Sequence, residues 1–276
     1  MTVKNKLALA PTSLPDATPL DYIQAAVTAG YDYIGLRLNP SPGFPFTPVV
    51  GDAALIRAMK SKLADADLSV LDIYSFYLVP DVDVSAFEGA IALGAEFGAK
   101  YLVTMGADTD WSRQRDNFVR ICEIADRYGL ICAVEPAVIR PLANLPQTER
   151  LIAEAGCANV AICVDPLNFI RAGDHPADLK RVDPKLLPYG QLTDGLIAMD
   201  EPNPELLGRM SPNRRCMLGK GSVPVGAVLD ALPRGIPLSL ELPPPEGSTL
   251  SAPVWAKLIL DDARHFLHLH YAKPSG

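Results

Sequence analysis

Eight times along the chain a short apolar run gives way to a stretch with helical periodicity, and this alternation constrains the fold more than any other feature. The runs are Leu7 to Ala10, Tyr31 to Leu38, Leu68 to Ile73, Lys100 to Met105, Leu130 to Glu135, Val160 to Asp165, Leu187 to Leu192 and Ile236 to Leu242. Helical patterns separate them; the first opens on Pro19 and stops at Gly30, a start-and-stop pair suited to a helix. Parallel strands need crossover helices, and strands covered on both faces read as continuous apolar runs. Eight such units are best accommodated by a closed (β/α)8 barrel in one domain. An open doubly wound sheet is the alternative, but its glycine fingerprint after the first strand is absent; Ala10-Pro11-Thr12 stands there. A chain of 276 residues, 49% hydrophobic, is long enough to fill such a barrel.

Three of the runs end on an acid beside proline: Val134-Glu135-Pro136, Val164-Asp165-Pro166, and Leu240-Glu241 with Pro243 to Pro245 behind it. The seventh run ends near Gln191. In a barrel the C-terminal strand ends share one mouth, so Glu135, Asp165, Gln191 and Glu241 converge there. Three carboxylates held that close do not all ionise without a cation. An oxygen-rich set with one amide suits Mn²⁺, Mg²⁺ or Co²⁺, with Zn²⁺ also possible. The competing reading of each acid alone is a helix N-cap or a surface charge. Arg214, Arg215 and Lys220 lie on the loop after the seventh strand, a common anion-binding edge. Arg37 and Tyr74 end the second and third strands on the same side, and Asn168 follows the sixth.

Composition closes off other classes. Net charge is −7 with no basic run, which argues against nucleic acid. No apolar stretch approaches a membrane span or a signal sequence, and the five cysteines form no paired framework; the expectation is a cytoplasmic protein. His265, His268 and His270 share the last helix, away from the strand ends, and Asp174 or His175 reads as a helix cap.

Several segments together resemble the xylose isomerase-like TIM barrel superfamily, the sugar phosphate isomerase/epimerase group. They are Ala29-Gly30-Tyr31-Asp32-Tyr33-Ile34-Gly35-Leu36-Arg37, Val134-Glu135-Pro136, Asp165-Pro166-Leu167-Asn168, Gln191-Leu192-Thr193-Asp194, Arg215-Cys216-Met217-Leu218-Gly219-Lys220-Gly221 and Leu240-Glu241. The resemblance implies metal ligands at Glu135, Asp165, Gln191 and Glu241. It implies acid–base roles for Glu135 and Glu241, a small polyhydroxylated keto substrate, and a homodimer or homotetramer. Two positions depart from it: Gln191 and Asn168 stand where the keto-sugar epimerases carry histidine. Glutamine at the strand-seven ligand resembles the 3-dehydroshikimate dehydratase branch, although the third strand lacks that branch's arginine. The expected chemistry is isomerisation or epimerisation of a keto sugar or keto polyol through an enediolate. The alternatives are dehydration of the dehydroshikimate or inosose type, or a barrel that binds a sugar-like ligand without turnover.

Overall fold

The computed structural model describes residues 5–41, 43–198 and 215–272. Its parallel sheet is built from β1 (Leu7–Leu9), β2 (Tyr33–Arg37), β3 (Ser69–Leu78), β4 (Tyr101–Gly106), β5 (Ile131–Val134), β6 (Val160–Ile162), β7 (Gly190–Leu192) and β10 (Leu238–Leu240). The strand order is β6-β5-β4-β3-β2-β1-β10-β7. A parallel bridge between Val164 and Gly190 joins β6 to β7, and the Gln191 N–H donates to the Val164 carbonyl at 2.9 Å. The expected TIM barrel is therefore present.

The crossover helices are α1 (Pro19–Ala29), α2 (Ala53–Asp65), α3 (Glu88–Glu96), α4 (Trp111–Arg127), α5 (Leu145–Ala155), α6 (Pro166–Arg171), α7 (Pro176–Leu179), α8 (Val225–Ala231) and α9 (Ala252–Ala272). Local chemistry explains their ends. Thr18 caps α1, Pro19 occupies its first turn, and Gly30 ends it in the left-handed region at φ 88°. Asn144 caps α5, with Pro146 in the first turn. His175 caps α7 in a reciprocal capping box with Asp178, as its place before Pro176 suggests. His270 on α9 pairs with Asp230 of α8 at 3.0 Å and belongs to the helix layer.

Period-two alternation sorts each strand into an outer and an inner set. The outer set packs under the helices in one continuous apolar core that includes Leu7, Ile34, Ile73, Leu102, Val134 and Leu238. The inner set fills the barrel axis with Ala8, Leu71, Tyr101, Ala133, Ala161, Cys163 and Tyr189. Tyr101 and Tyr189 stack at 4.5 Å and close the barrel floor. Nearer the C-terminal strand ends the buried side chains are polar, among them Asp72, Glu135, Asp165 and Gln191.

β3 departs most from the sequence reading. The apolar run suggests an end at Ile73, but the strand continues to Leu78. Its pairing with β2 shifts register between Ile34 and Gly35, so that Ile34 opposes Val70 and Gly35 opposes Asp72. The extra residue changes the phase of the strand. Asp72 and Tyr74 then share the inward face, and a second shift, in the pairing with β4 between Ile73 and Phe76, accompanies the packing of Phe76 against Phe87 at 5.2 Å. Trp111, at the start of α4, donates its indole N–H to Glu154 at 2.7 Å, and Arg150 lies over its ring.

Candidate functional site

Four strand ends build the site. Glu135, Asp165 and Glu241 follow β5, β6 and β10, and each offers a carboxylate oxygen within 4.8 Å of the others. Gln191 of β7 lies against them; its Nε2 donates to Glu135 Oε2 at 3.2 Å and to the Tyr74 hydroxyl at 3.1 Å. All four are buried or nearly so.

Asp165 shows how one residue serves two purposes. Its Oδ1 accepts from the backbone N–H groups of Leu167 (2.7 Å) and Asn168 (3.2 Å), capping α6, and from the Thr193 hydroxyl (2.7 Å). Its Oδ2 turns to the cluster and accepts from Arg215 at 2.6 Å and the Asn168 amide at 3.3 Å. The N-cap reading and the cluster reading thus hold together. Asn168 also reaches Glu135 Oε1 at 3.5 Å. Neutral amides from Asn168 and Gln191 therefore contact both oxygens of Glu135.

Arg215 is the counter-charge. Its side chain is 2% exposed, and its guanidinium also lies 3.3 Å from Glu241. It begins β9 (Arg215–Cys216), which pairs antiparallel with β8 (Asp194–Gly195) in a short ribbon absent from the strand pattern of the sequence. Asp194 secures the ribbon's return: its carboxylate accepts from the N–H groups of Gly219 (2.8 Å), Gly221 (3.0 Å) and Val223 (3.3 Å). A Cβ at Gly221 would lie 2.1 Å from Asp194 Oδ1, so this close approach requires glycine.

The electrostatics follow mainly from burial and from Arg215. Burial, then repulsion from Glu241 and Asp165, pushes the Glu135 carboxyl well above its usual range, with Arg215 opposing. Burial also disfavours charge on Asp165, but Arg215 and its other donors more than offset it, and the carboxyl falls below its ordinary range. Glu241 is raised by burial against the pull of Arg215. Burial would weaken the Arg215 charge; Asp165 and Glu241 outweigh that and hold it more firmly protonated.

The remaining candidates fall in different places. Tyr74 reaches the cluster through Gln191. Arg37 donates to the Pro15 and Pro45 carbonyls at 3.3 and 3.2 Å and covers the Phe44 ring, fastening the proline-rich loop to the mouth. Its charge still acts on Glu241. Lys220 is exposed and acts on Asp262 of α9 instead of the cluster. Arg214 lies outside the described residues.

Sequence reasoning gave no role to Asp72. It is fully buried beneath the cluster, and neither of its carboxyl oxygens has a hydrogen-bond partner. Burial pushes it up to about 8; the nearby Tyr189 hydroxyl draws it down and Glu241 adds to the rise. An acid inside the apolar run Leu68 to Ile73 was the available signal.

These residues fit a divalent cation. Three carboxylates converge, and Gln191 Oε1 is a buried acceptor without a hydrogen-bond partner. Oxygen donors of this kind suit a hard or borderline ion.

A family profile described as xylose isomerase-like TIM barrel matches residues 23–259. No curated protein matches the chain by sequence. Among solved structures, the IOLI protein with a bound zinc atom is 19% identical, with 97% of this chain and 100% of that one covered and a TM-score of 0.78. The probable 3-DHS dehydratase AsbF of Bacillus anthracis, involved in petrobactin synthesis, is 16% identical, with coverages of 94% and 98% and a TM-score of 0.72. The 3-keto-D-glucoside 4-epimerase YcjR of E. coli is 14% identical, with coverages of 96% and 99% and a TM-score of 0.69. These likenesses establish a shared fold, and the profile spans most of the sequence: the chain belongs to the xylose isomerase-like TIM barrel family.

Proposed function

We propose that the chain is a divalent-metal-dependent isomerase or epimerase of a keto sugar or keto polyol. The observation that carries this reading is the convergence of Glu135, Asp165 and Glu241 within 4.8 Å, beside the unpartnered oxygen of Gln191. Glu135, Asp165, Gln191 and Glu241 would hold the ion. When bound, it supplies Lewis acidity that eases removal of a proton beside a carbonyl.

The chain's own groups do the rest. Glu135 and Glu241 come from strands separated by β6 and β7 in the barrel, so two carboxyls border the site from different strands. Both have a raised proton affinity, which suits groups that take and return a proton near neutral pH. One takes the proton from the substrate carbon and the other delivers one, giving a shifted carbonyl or an inverted centre. Arg215 keeps Asp165 ionised so that it holds position throughout.

A second reading, dehydration of a cyclic or carboxylated keto polyol, draws on the glutamine at 191 and on the fold shared with the probable 3-DHS dehydratase. It uses the same first proton removal and then expels a β-hydroxyl.

The experiment separates the readings. The purified protein is analysed for bound metal, then incubated in D₂O with a ketohexose panel, an inosose and 3-dehydroshikimate. Solvent deuterium entering substrate or epimer without dehydration supports the isomerase. Growth of a conjugated product's absorbance selects the dehydratase. Glu135→Gln and Glu241→Gln are each expected to lower turnover at least ~100-fold; unchanged rates, or a protein that takes up no divalent ion, would sink both readings.

A further inference from the structure

We infer that Arg140 is a substrate-binding residue that receives an anionic terminal group, a carboxylate or a phosphate, on the keto polyol taken at the mouth. The inference deepens the proposed function and rests on it.

The cations expected at the mouth face other partners: Arg215 meets Asp165 and Glu241, Arg37 is tied to the Pro15 and Pro45 carbonyls, and Lys220 acts on Asp262. Arg140, on the loop between Glu135 and α5, differs. Among the described residues its guanidinium makes no ion pair and no hydrogen bond, and it lies over the Tyr77 ring, 4.9 Å from the centroid. The chain carries 32 acidic side chains against 25 basic ones, so a guanidinium left without a carboxylate is not explained by a shortage of acids.

Two features hold Arg140 at the mouth. Phe76 and Leu78 join the outer core, so Tyr77 between them faces the other way, half-buried, toward the barrel mouth. Glu135 and Glu241 both act on its phenol, which sets the ring near the cluster. The loop that carries Arg140 is folded back on itself: the Arg140 N–H donates to the Ala137 carbonyl at 2.7 Å, and the Ala137 N–H to the Leu142 carbonyl at 3.2 Å. The Leu142 N–H in turn reaches the carbonyl of Gly106, the last residue of β4, at 3.4 Å. A Cβ at Gly106 would lie 2.6 Å from Leu142 Cβ, so glycine there lets the loop lie against the strand end.

A guanidinium stacked on a ring keeps its plane and loses little freedom when it binds a ligand, while its N–H edge stays open. That edge is a fork of donors whose spacing matches two oxygens of a carboxylate or phosphate. An arginine present only to cover Tyr77 would not discriminate between charged and neutral ligands.

The test is calorimetric titration of the Mn²⁺-loaded protein with D-fructose, D-fructuronate and D-fructose 6-phosphate, which differ in the terminal group alone. Wild type, Arg140→Gln and Arg140→Lys are compared, with thermal unfolding to check that each folds. Wild type is expected to bind at least one of the two anions ~10-fold more tightly than D-fructose, and the tighter of them tells carboxylate from phosphate. Arg140→Gln is expected to weaken that anion about 30-fold and D-fructose less than about threefold. Arg140→Lys, which keeps the charge but not the planar fork, is expected to fall between wild type and Arg140→Gln. Equal affinity for the three ligands, or an anion preference that survives in Arg140→Gln, would overturn the inference and leave the keto-polyol reading standing. Wild-type protein that holds none of the three would overturn that reading and this inference with it.

Discussion

Replacing Asp72 with asparagine is expected to stabilise the metal-free protein at neutral pH, and by an amount that grows with pH. Asp72 is fully buried without a hydrogen-bond partner, and its carboxyl rises from the ordinary 3.8 to about 8. Between those values the folded protein keeps a proton that the unfolded chain releases. The unfolded state then binds fewer protons, so stability falls as pH rises. The contribution is whole below the unfolded value and is lost as pH climbs through the folded one. Each pH unit in that window costs about 1.4 kcal/mol, hence about 3 kcal/mol between pH 5 and pH 7. Asparagine has nearly the same shape as a protonated carboxyl but one donor more, an offset that is the same at every pH, so the change with pH carries the argument. Urea unfolding of both proteins in EDTA, at pH 5, 6, 7 and 8, isolates the effect. Glu135 and Glu241, also raised, give both proteins a slope of the same sign, and the difference between the two proteins reports Asp72 together with its repulsion from these two carboxyls. A stability difference that stays flat across this range would refute the argument that Asp72 is held protonated.

Two further changes probe the packing and charge around it. Gly35→Ala puts a methyl 2.4 Å from Asp72 Oδ1 and 3.0 Å from Pro11 Cδ, and is expected to destabilise by about 1–3 kcal/mol and to weaken Mn²⁺ binding, read by melting and titration. Arg215→Met leaves Asp165 buried without its counter-charge and is expected to cost the metal-free protein about 3–5 kcal/mol. Saturating Mn²⁺ is expected to restore more stability to this variant than it adds to wild type; an equal gain in both would mean that Arg215 does not neutralise the cluster.

Much of this architecture is legible in the sequence because it rests on local patterns. The bounds of α1 follow from Pro19 and Gly30, and the acids of β5, β6 and β10 stand out because each ends an apolar run. What escapes is what depends on partners far along the chain. Arg215 meets Asp165 fifty residues away, through a two-residue ribbon too short to leave a periodicity. The inward turn of Tyr74 follows from a register shift that no propensity marks, and the aromatic run Tyr74 to Tyr77 looks like a loop beyond a strand when it is the strand's second half. α6 is hidden because Asp165 closes a strand and caps a six-residue helix at once.

The two amides at 168 and 191 change the character of the site more than its shape. The resemblance implies histidines there, groups that titrate near neutral pH and bring their own charge when protonated. Asn168 and Gln191 donate to Glu135 but never change charge. The charge of the cluster itself therefore comes from three carboxyls and Arg215, with Arg37 and Asp72 acting on it from beside it. With all three carboxyls ionised and Arg215 cationic, the cluster carries a net charge of −2 (three negative, one positive). A divalent ion brings that sum to zero, which lowers the cost of keeping the group buried. Without the ion, Glu135 and Glu241 reach the same end by holding protons, the direction in which burial drives both. Metal uptake is then expected to release protons and to tighten as pH rises. Calorimetric titration of Mn²⁺ in buffers of different ionisation enthalpy counts those protons, and uptake without proton release near neutral pH would refute this account of how the cluster is neutralised.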